Sequence, residues 1–199
     1  MNLIEFNSLV DLFFYKAAKE NPNADFLEWL NPKNKKKYTW GKTSASIQKL
    51  AKVLKDNILK GDRCLLVSEN RPEWLIADLA IMLAGGITVP AYTTYTEKDY
   101  KYLIEDCEPS VIIVSNNEMY DKLKNIIKEK NFIKKIISFD ELNNQENKDK
   151  YLRFDTIIND ELNQKVEIKN ENLKRNSPAC IIYTSGTGGN PKGVILSHG

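Results

Sequence analysis

Histidine and cysteine are scarce in this sequence of 199 residues, which contains one histidine and three cysteines. A site in which several histidines bind one metal ion is therefore excluded. Cys64, Cys107 and Cys180 are far apart and odd in number, so they match neither metal-ligand spacing nor a disulfide framework. Each lies in an apolar segment, which predicts reduced cysteines packed in a core and a cytoplasmic setting.

A large excess of either charge is also absent, since the sequence contains 29 basic and 27 acidic residues and has a net charge of +2. A basic surface that would bind nucleic acid is not expected. The amino terminus lacks the basic start and the long apolar core of a secretory signal, which also favours the cytoplasm. The sequence leaves open a peripheral contact with the inner face of a membrane. With 42% hydrophobic residues, the chain can bury a sizeable core.

The longest apolar stretch, 74–92, approaches the length of a membrane-spanning helix. It is interrupted by Asp78, by the pair Gly85-Gly86 and by Pro90. A buried helix of about a dozen residues, followed by a turn and a strand, explains this composition better than a membrane span does.

The hydrophobic periodicity alternates between helix and strand, which predicts a layered α/β/α fold with a mostly parallel, helix-covered sheet. The segment 141–176 is polar and is expected to hold two short helices, one of them at 151–158. Helices are also predicted at 8–20, 43–59 and 117–130 and from Pro72 and Thr96, and strands at 63–68, 87–90, 111–114, 135–139, 179–184 and 194–196, with a hairpin formed by 26–30 and 37–40.

The segment 183–193 has the sequence YTSGTGGNPKG and lies between two apolar, β-prone runs. Its glycines permit positive φ and close backbone approach, so that several N–H groups can point at one anion. Thr184, Ser185 and Thr187 add hydroxyl donors, and Lys192 adds a mobile positive charge. The loop therefore predicts a polyphosphate ligand. A surface turn rich in glycine and threonine, with Lys192 merely solvated, is the alternative.

Two common glycine-rich templates do not fit this loop. The Walker pattern GxxxxGK(S/T) fails because Pro191 precedes the lysine and Gly193 follows it, where a glycine and a magnesium-binding hydroxyl are needed. The dinucleotide pattern GxGxxG fails because its third glycine would fall at Pro191.

The loop closely resembles the phosphate-loop signature of the adenylate-forming superfamily, Tyr/Phe-Thr-Ser-Gly-Ser/Thr-Thr-Gly-x-Pro-Lys-Gly. It departs from that signature only at Gly188, where threonine is commoner, and so lacks one hydroxyl donor. The segment 61–95 is also similar to the first strand-helix-strand unit of the superfamily. Its SENRPEW and VPAYTTYT sequences are most similar to the long-chain fatty acid–CoA ligases.

The resemblance implies a two-step reaction of a fatty acid or other carboxylic acid. The carboxylate attacks the α-phosphate of ATP to give an acyl-adenylate and pyrophosphate, and coenzyme A then displaces AMP. Lys192 and Thr184 are the implied catalytic residues, Mg²⁺ is expected to bridge the phosphates, and no residue of the chain is expected to ligate it. The implied nucleotide-binding residues are Thr184, Ser185, Gly186, Thr187, Gly188, Gly189, Lys192 and Gly193.

The family's adenine-contacting motif, ribose-binding aspartate, hinge and lid lysine do not occur in this chain. We expect residues 1–199 to be the amino-terminal part of the AMP-binding domain, truncated just after the loop at 183–193. Such a chain would need the rest of the enzyme as its partner and would be inactive by itself. Two alternatives stay open, an amino-acid-activating domain of a carrier-protein system and a catalytically inactive phosphate-binding fragment.

Three further features carry weaker hypotheses. Arg71 and Glu73 lie at a strand-to-helix corner, where capping and a surface ion pair are favoured over ligand binding. His198 is interpreted as a local structural residue, with a contact to nucleotide or substrate as the alternative. The segment 92–96 either lines a path for the substrate or forms a tight turn.

Overall fold

A computed structural model describes residues 5–30, 35–143, 148–160, 167–169, 172–184 and 191–199. Helices and strands alternate along most of it, as the sequence predicts. The helices are α1 (Leu9–Ala17), α2 (Trp40–Lys55), α3 (Pro72–Leu83), α4 (Glu97–Cys107), α5 (Asn117–Lys128) and α6 (Phe154–Asn159). The strands are β1 (Asp25–Trp29), β2 (Lys36–Thr39), β3 (Arg63–Val67), β4 (Ile87–Ala91), β5 (Val111–Val114), β6 (Lys135–Ser138), β7 (Tyr151–Arg153), β8 (Pro178–Thr184) and β9 (Lys192–Ser197).

Within the described residues, the main sheet has seven strands in the order β7-β6-β5-β3-β4-β8-β9. All neighbours are parallel except β8 and β9, which form an antiparallel pair at one edge. Helices α1, α2, α3 and α6 cover one face, and α4 and α5 cover the other. Alternate residues of β3 show the two layers, since Leu66 packs with the first group and Leu65 with the second. The predicted layered α/β/α fold with a mostly parallel sheet is confirmed.

Local signals in the sequence account for where the helices begin. Ser8 caps α1 by accepting a hydrogen bond from the backbone N–H of Asp11 at 3.1 Å. Thr96 and Asp99 form a capping box at the start of α4, the helix predicted to begin at Thr96. Pro72 occupies the first turn of α3, where its missing N–H costs no helical hydrogen bond.

The apolar stretch 74–92 divides as predicted, into most of α3, a turn and β4. Gly85 makes the turn possible because its φ of +87° is rarely adopted by other residues. Among the helices of the described residues, none has both the length and the apolar character needed to cross a membrane.

The prediction of one helix over 151–158 is wrong. Residues Tyr151–Arg153 form β7, which pairs with β6 at the edge of the sheet, and α6 starts only at Phe154. Pairing with β6 supplies backbone partners that the local sequence does not reveal.

The cysteines are free thiols, as predicted, with Cys64 and Cys107 buried and Cys180 half-buried. Burial raises the pKa of the Cys107 thiol to about 12, so this thiol is protonated and unreactive at neutral pH. Its role is packing between α4 and the sheet.

Candidate functional site

The β8–β9 hairpin brings together both residues predicted to be catalytic. Thr184 ends β8 and Lys192 begins β9, and the two are directly opposite in the antiparallel register. Both are exposed. Because β8 runs parallel to β3 and β4, this pair lies at the carboxyl edge of the sheet, where ligands bind in open α/β folds. Of the six other loop residues predicted to bind nucleotide, Gly193 follows Lys192 in β9, and five lie outside the described residues: Ser185, Gly186, Thr187, Gly188 and Gly189.

Helix α4 holds the hairpin just before and just after the loop. The hydroxyl of Tyr102 donates a hydrogen bond to the carbonyl oxygen of Pro191 at 2.9 Å. The hydroxyl of Tyr183 donates to the carboxylate of Asp106, one helical turn further along α4. Burial, followed by the bond to Asp106, raises the pKa of Tyr183, so its proton stays available for donation. Each stem of the loop therefore has its own anchor on one helix.

Sequence reasoning did not identify Tyr102 or Asp106. Both lie off the apolar face of α4 that the periodicity marks as buried. A tyrosine on the exposed side of a helix is a common surface residue, and only its position relative to the hairpin gives it a role.

Gly193 was expected to permit positive φ and close backbone approach, and it does not adopt positive φ. Its backbone is part of β9, and the glycines with positive φ among the described residues are Gly61 and Gly85. Space is the reason for glycine at 193. A Cβ atom there would lie 2.8 Å from Cγ2 of Ile181 and 3.3 Å from Cζ of Tyr183.

A cavity of about 510 Å³ opens at the same edge, between the carboxyl ends of β3, β4 and β8. Its lining combines polar groups from the loop after β3 with the aromatic rings of Trp74, Tyr92 and Tyr183. The lining residues are Ser68, Glu69, Asn70, Trp74, Pro90, Ala91, Tyr92, Thr93, Ile182 and Tyr183. A mostly apolar cleft with a few polar groups is typical of a small-molecule site.

The predicted tight turn at 92–96 is confirmed. The backbone N–H of Tyr95 donates to the carbonyl of Tyr92 at 3.2 Å, and the hydroxyl of Tyr100 donates to the same carbonyl at 2.7 Å. The turn also contributes Tyr92 and Thr93 to the cavity. A role in a substrate path stays a prediction.

Arg71 and Glu73 do not form the surface ion pair that the sequence favours, because both side chains are fully buried. The guanidinium contacts the rings of Trp29 and Phe139, with its carbon 4.4 Å and 5.4 Å from their centroids. Its Nε donates to Glu73 at 2.9 Å, and its two terminal nitrogens donate to both carboxylate oxygens of Asp140 at 3.1 and 3.0 Å. The β1–β2 hairpin covers this pair, which local sequence could not indicate.

The β1–β2 hairpin contributes directly to the same network. Lys36 Nζ on β2 donates to Glu73 Oε1 at 3.0 Å, and the Tyr38 hydroxyl donates to the same oxygen at 3.3 Å. Burial would raise the pKa of Glu73, but hydrogen bonds and charge from Arg71, with help from Lys36, hold the pKa below its ordinary value. The ionised network fixes the start of α3 and thus the adjoining loop that lines the cavity.

His198 is buried at the opposite end of β9 from Lys192, roughly 20 Å away along a six-residue strand. Its Nδ1 accepts a hydrogen bond from the backbone N–H of Leu9 at 3.4 Å. Burial lowers its pKa, which favours the neutral ring that this bond requires. The contact joins the start of α1 to the end of the sheet, in line with a local structural role.

A metal site made by side chains is not found in the described part of the chain, where no group of three or more histidine, cysteine, aspartate or glutamate residues could hold an ion.

Comparison with known proteins gives consistent relatives. A long-chain-fatty-acid–CoA ligase, ACSBG2 of Xenopus laevis, is 34% identical over 65% of this chain and 18% of its own length. ACSBG1 of Rattus norvegicus is 28% identical over 95% of this chain and 27% of its own length. Long chain acyl-CoA synthetase 3 of Arabidopsis thaliana is 35% identical over 70% of this chain and 22% of its own length. The chain thus spans about a quarter or less of these relatives.

Solved structures share the fold. The anthranilate CoA ligase AuaEII, in complex with anthranoyl-AMP, superposes with a TM-score of 0.83 and 24% identity over 98% of this chain and 36% of its own. The acetoacetyl-CoA synthetase from Streptomyces lividans has a TM-score of 0.83 and 20% identity over 96% of this chain and 30% of its own. At these identities the likeness establishes the fold.

The sequence profile of a family described as AMP-binding enzyme matches residues 14–199. This range contains α2 to α6, the central sheet and the hairpin that carries Thr184 and Lys192. With relatives that are acid–CoA ligases and a fold shared with ligases of the same kind, the chain belongs to the AMP-binding enzyme family.

Proposed function

We propose that this chain is part of an enzyme that activates a carboxylic acid with ATP and transfers it to coenzyme A. The names of the relatives at 34% and 35% identity suggest a long-chain fatty acid as the acid. Residues 1–199 would form the amino-terminal part of the AMP-binding domain, and residues 183–193 its phosphate-binding loop.

The observation that carries the proposal is the position of Thr184 opposite Lys192 at the carboxyl edge of the sheet. A hydroxyl and an ammonium group there flank the short segment 185–190, whose sequence is rich in glycine and hydroxyl residues. This combination suits the β- and γ-phosphates of ATP, since backbone N–H groups and a point charge can share one polyphosphate.

In the proposed first step, an oxygen of the acid's carboxylate forms a bond to the α-phosphorus of ATP while the bond to the bridging oxygen of pyrophosphate breaks. Negative charge accumulates on the departing pyrophosphate. The Lys192 ammonium and the Thr184 hydroxyl would stabilise that charge, together with loop amides. In the second step, the thiol of coenzyme A would attack the acyl carbon and release AMP.

Mg²⁺ fits this arrangement as an ion that arrives with the nucleotide. It would neutralise part of the charge on the phosphates. Lys192 and Thr184 would contribute to binding the phosphates.

The cavity beside the loop is the proposed route for the acid or for the thiol of coenzyme A. Trp74, Tyr92 and Ile182 give it apolar walls within reach of the loop stem at Tyr183. Apolar walls would exclude water from a reactive mixed anhydride.

The experiment is pyrophosphate exchange by the full-length enzyme carrying Lys192→Ala. Loss of one charge-assisted contact raises the barrier by about 3 kcal/mol, so adenylate formation should slow about a hundredfold. Lys128→Ala removes an exposed lysine from α5 and serves as the matched control. An unchanged rate for Lys192→Ala would refute the assigned role.

A second measurement addresses the domain boundary. Residues 1–199 by themselves should form no acyl-CoA from a fatty acid, ATP and coenzyme A, whereas the full-length enzyme should. Acyl-CoA formation by the short chain would contradict the proposal that further parts of the domain complete the site.

A further inference from the structure

A second large cavity, of about 880 Å³, lies at the end of the sheet opposite the phosphate loop. Lys60 comes shortly before β3 and residues 172–176 come shortly before β8, so the cavity is at the amino ends of these parallel strands. Its lining contains three cations, three carboxamides and one leucine, and no acidic residue. The lining residues are Asn7, Lys60, Asn172, Leu173, Lys174, Arg175 and Asn176.

The loop that carries two of the cations is held by the surrounding backbone. Lys174 and Ser177 close a turn, in which the N–H of Lys174 donates to Oγ of Ser177 at 3.0 Å and the N–H of Ser177 donates to the carbonyl of Lys174 at 2.8 Å. The N–H of His198 donates to the carbonyl of Ser177 at 3.1 Å, and that of Gly199 to the carbonyl of Arg175 at 2.8 Å. The end of β9 therefore holds the backbone from which both cationic side chains extend.

The three cations that line this cavity are not neutralised by carboxylates of the described part of the chain. Arg175 Nη1 donates to the carbonyl oxygen of Phe6 at 3.2 Å, and that acceptor is uncharged. The acid nearest to Lys60 in sequence, Asp62, accepts instead from the N–H of Leu59 at 3.0 Å and from Oγ of Ser110 at 2.7 Å. No carboxylate of the described residues forms an ion pair with Lys60, Lys174 or Arg175.

We propose that this cavity binds a phosphate-bearing anion. Three like charges gathered in one concave surface repel one another, and an anion between them removes that repulsion. An arginine guanidinium can contact two oxygens of a phosphate at once, lysines add point charges, and asparagine N–H groups add neutral donors. The site is separate from the nucleotide loop, because it lies at the other end of the strands.

The phosphate group could belong to a small phosphorylated molecule or to the head group of an anionic phospholipid. Leu59 bears on this choice because its side chain is 71% exposed immediately beside Lys60. An exposed apolar residue next to cations suits a lipid surface. Both sources present the same phosphate group, and the two arms of the experiment distinguish between them.

The first arm titrates the full-length protein with inorganic phosphate at low salt by calorimetry. Lys192→Ala is present throughout, so that the proposed nucleotide loop does not contribute to binding. The triple variant Lys60→Gln, Lys174→Gln and Arg175→Gln should weaken binding at least about tenfold, since each contact to the anion is charge-assisted. The control triple Lys98→Gln, Lys128→Gln and Arg153→Gln removes the same charges from elsewhere on the chain and should leave binding unchanged.

The second arm measures co-sedimentation with phosphatidylcholine vesicles, with and without phosphatidic acid. If the head group is the ligand, binding requires phosphatidic acid and falls in the cavity triple variant and in Leu59→Ser. If a small molecule is the ligand, the first arm alone shows cavity-dependent binding. Absence of cavity-dependent binding in both arms refutes the proposal. Lys174→Gln, an exposed single change, repeats each measurement should the triple variant fail to fold.

Discussion

The Tyr102 hydroxyl donates a hydrogen bond to the carbonyl oxygen of Pro191, 2.9 Å away. Pro191 immediately precedes Lys192, so this bond fixes the backbone from which the lysine extends. Proline has no backbone N–H, so its carbonyl oxygen is the one backbone group of this residue that can form a hydrogen bond. The position of the Lys192 backbone therefore depends on α4, the helix that also holds the other stem of the loop through Asp106.

Tyr102→Phe tests this dependence, because it keeps the ring and removes the hydroxyl. Stability should fall by only about 1 kcal/mol, the usual net value of one hydrogen bond. If Lys192 has its proposed role, pyrophosphate exchange by the full-length enzyme should slow several-fold through kcat, since a loosened Lys192 would be less well placed for the transition state. Tyr15→Phe, which removes a hydroxyl bonded to Lys19 on the surface, is the control. Equal rates for the two variants would contradict the anchoring role.

Gly193→Ala should destabilise the stem of the loop. The added Cβ would approach Cγ2 of Ile181 to 2.8 Å, a distance that side chains essentially never adopt. Relief requires movement of β9 against β8, and overpacking of this kind costs about 1–3 kcal/mol. Urea denaturation measures the loss, and Val194→Ala at the neighbouring exposed position provides the comparison. A stability equal to that of wild type would mean that the stem has room for a methyl group.

Arg71→Ala should be among the most destabilising substitutions in the chain. It leaves the carboxylate of Glu73 buried without its main partner, which typically costs about 3–5 kcal/mol. Arg153→Ala is a matched control, since Arg153 pairs with Asp155 and Glu141 but its side chain is 39% exposed, and its loss should cost below about 1 kcal/mol. The free energies of unfolding of the two variants, measured in urea, test this difference. Similar values for the two variants would show that the buried network contributes little.

Asp78 on α3 gives a pH-dependent prediction. Burial raises the pKa of its carboxyl above the ordinary value of 3.8, against a smaller opposing effect of Thr88. A raised pKa means that the folded protein favours the protonated acid, so the contribution of Asp78 to stability is fully present below pH 3.8 and is lost as the pH rises through the folded-state pKa. Asp78→Asn should therefore raise the melting temperature at pH 7. The gain should disappear at pH 3, and a gain that is equal at both pH values would disprove the assignment.

Much of the fold could be predicted from the sequence because its signals are local. The capping box at Thr96, the proline at position 72 and the glycine at 85 each specify backbone geometry within a few residues, and the elements they bound were placed correctly. The stem of the loop could also be predicted from local sequence, because the apolar runs on both sides of the loop predict strands.

What the sequence could not predict depends on contacts between distant segments. Arg71 is buried because Trp29, on a separate hairpin, covers it. Tyr151 is in a strand because Ile136 pairs with it. Tyr102 and Asp106 on α4 likewise can anchor the hairpin only because α4 lies beside β8 in the folded protein. Periodicity describes which face of an element is apolar, and it carries no information about which element will cover that face.

The parallel pairing of β8 with β4 has a consequence for how the protein folds. Strands β3 to β7 can assemble from segments that follow one another closely along the chain. Strand β8 pairs with β4 at Cys180 and Thr88, which are separated by a long segment of the chain. Closing so large a loop is entropically costly and slow. We expect the sheet to grow outward from β3 and β5, with the hairpin that carries Thr184 and Lys192 docking in the last stage of folding.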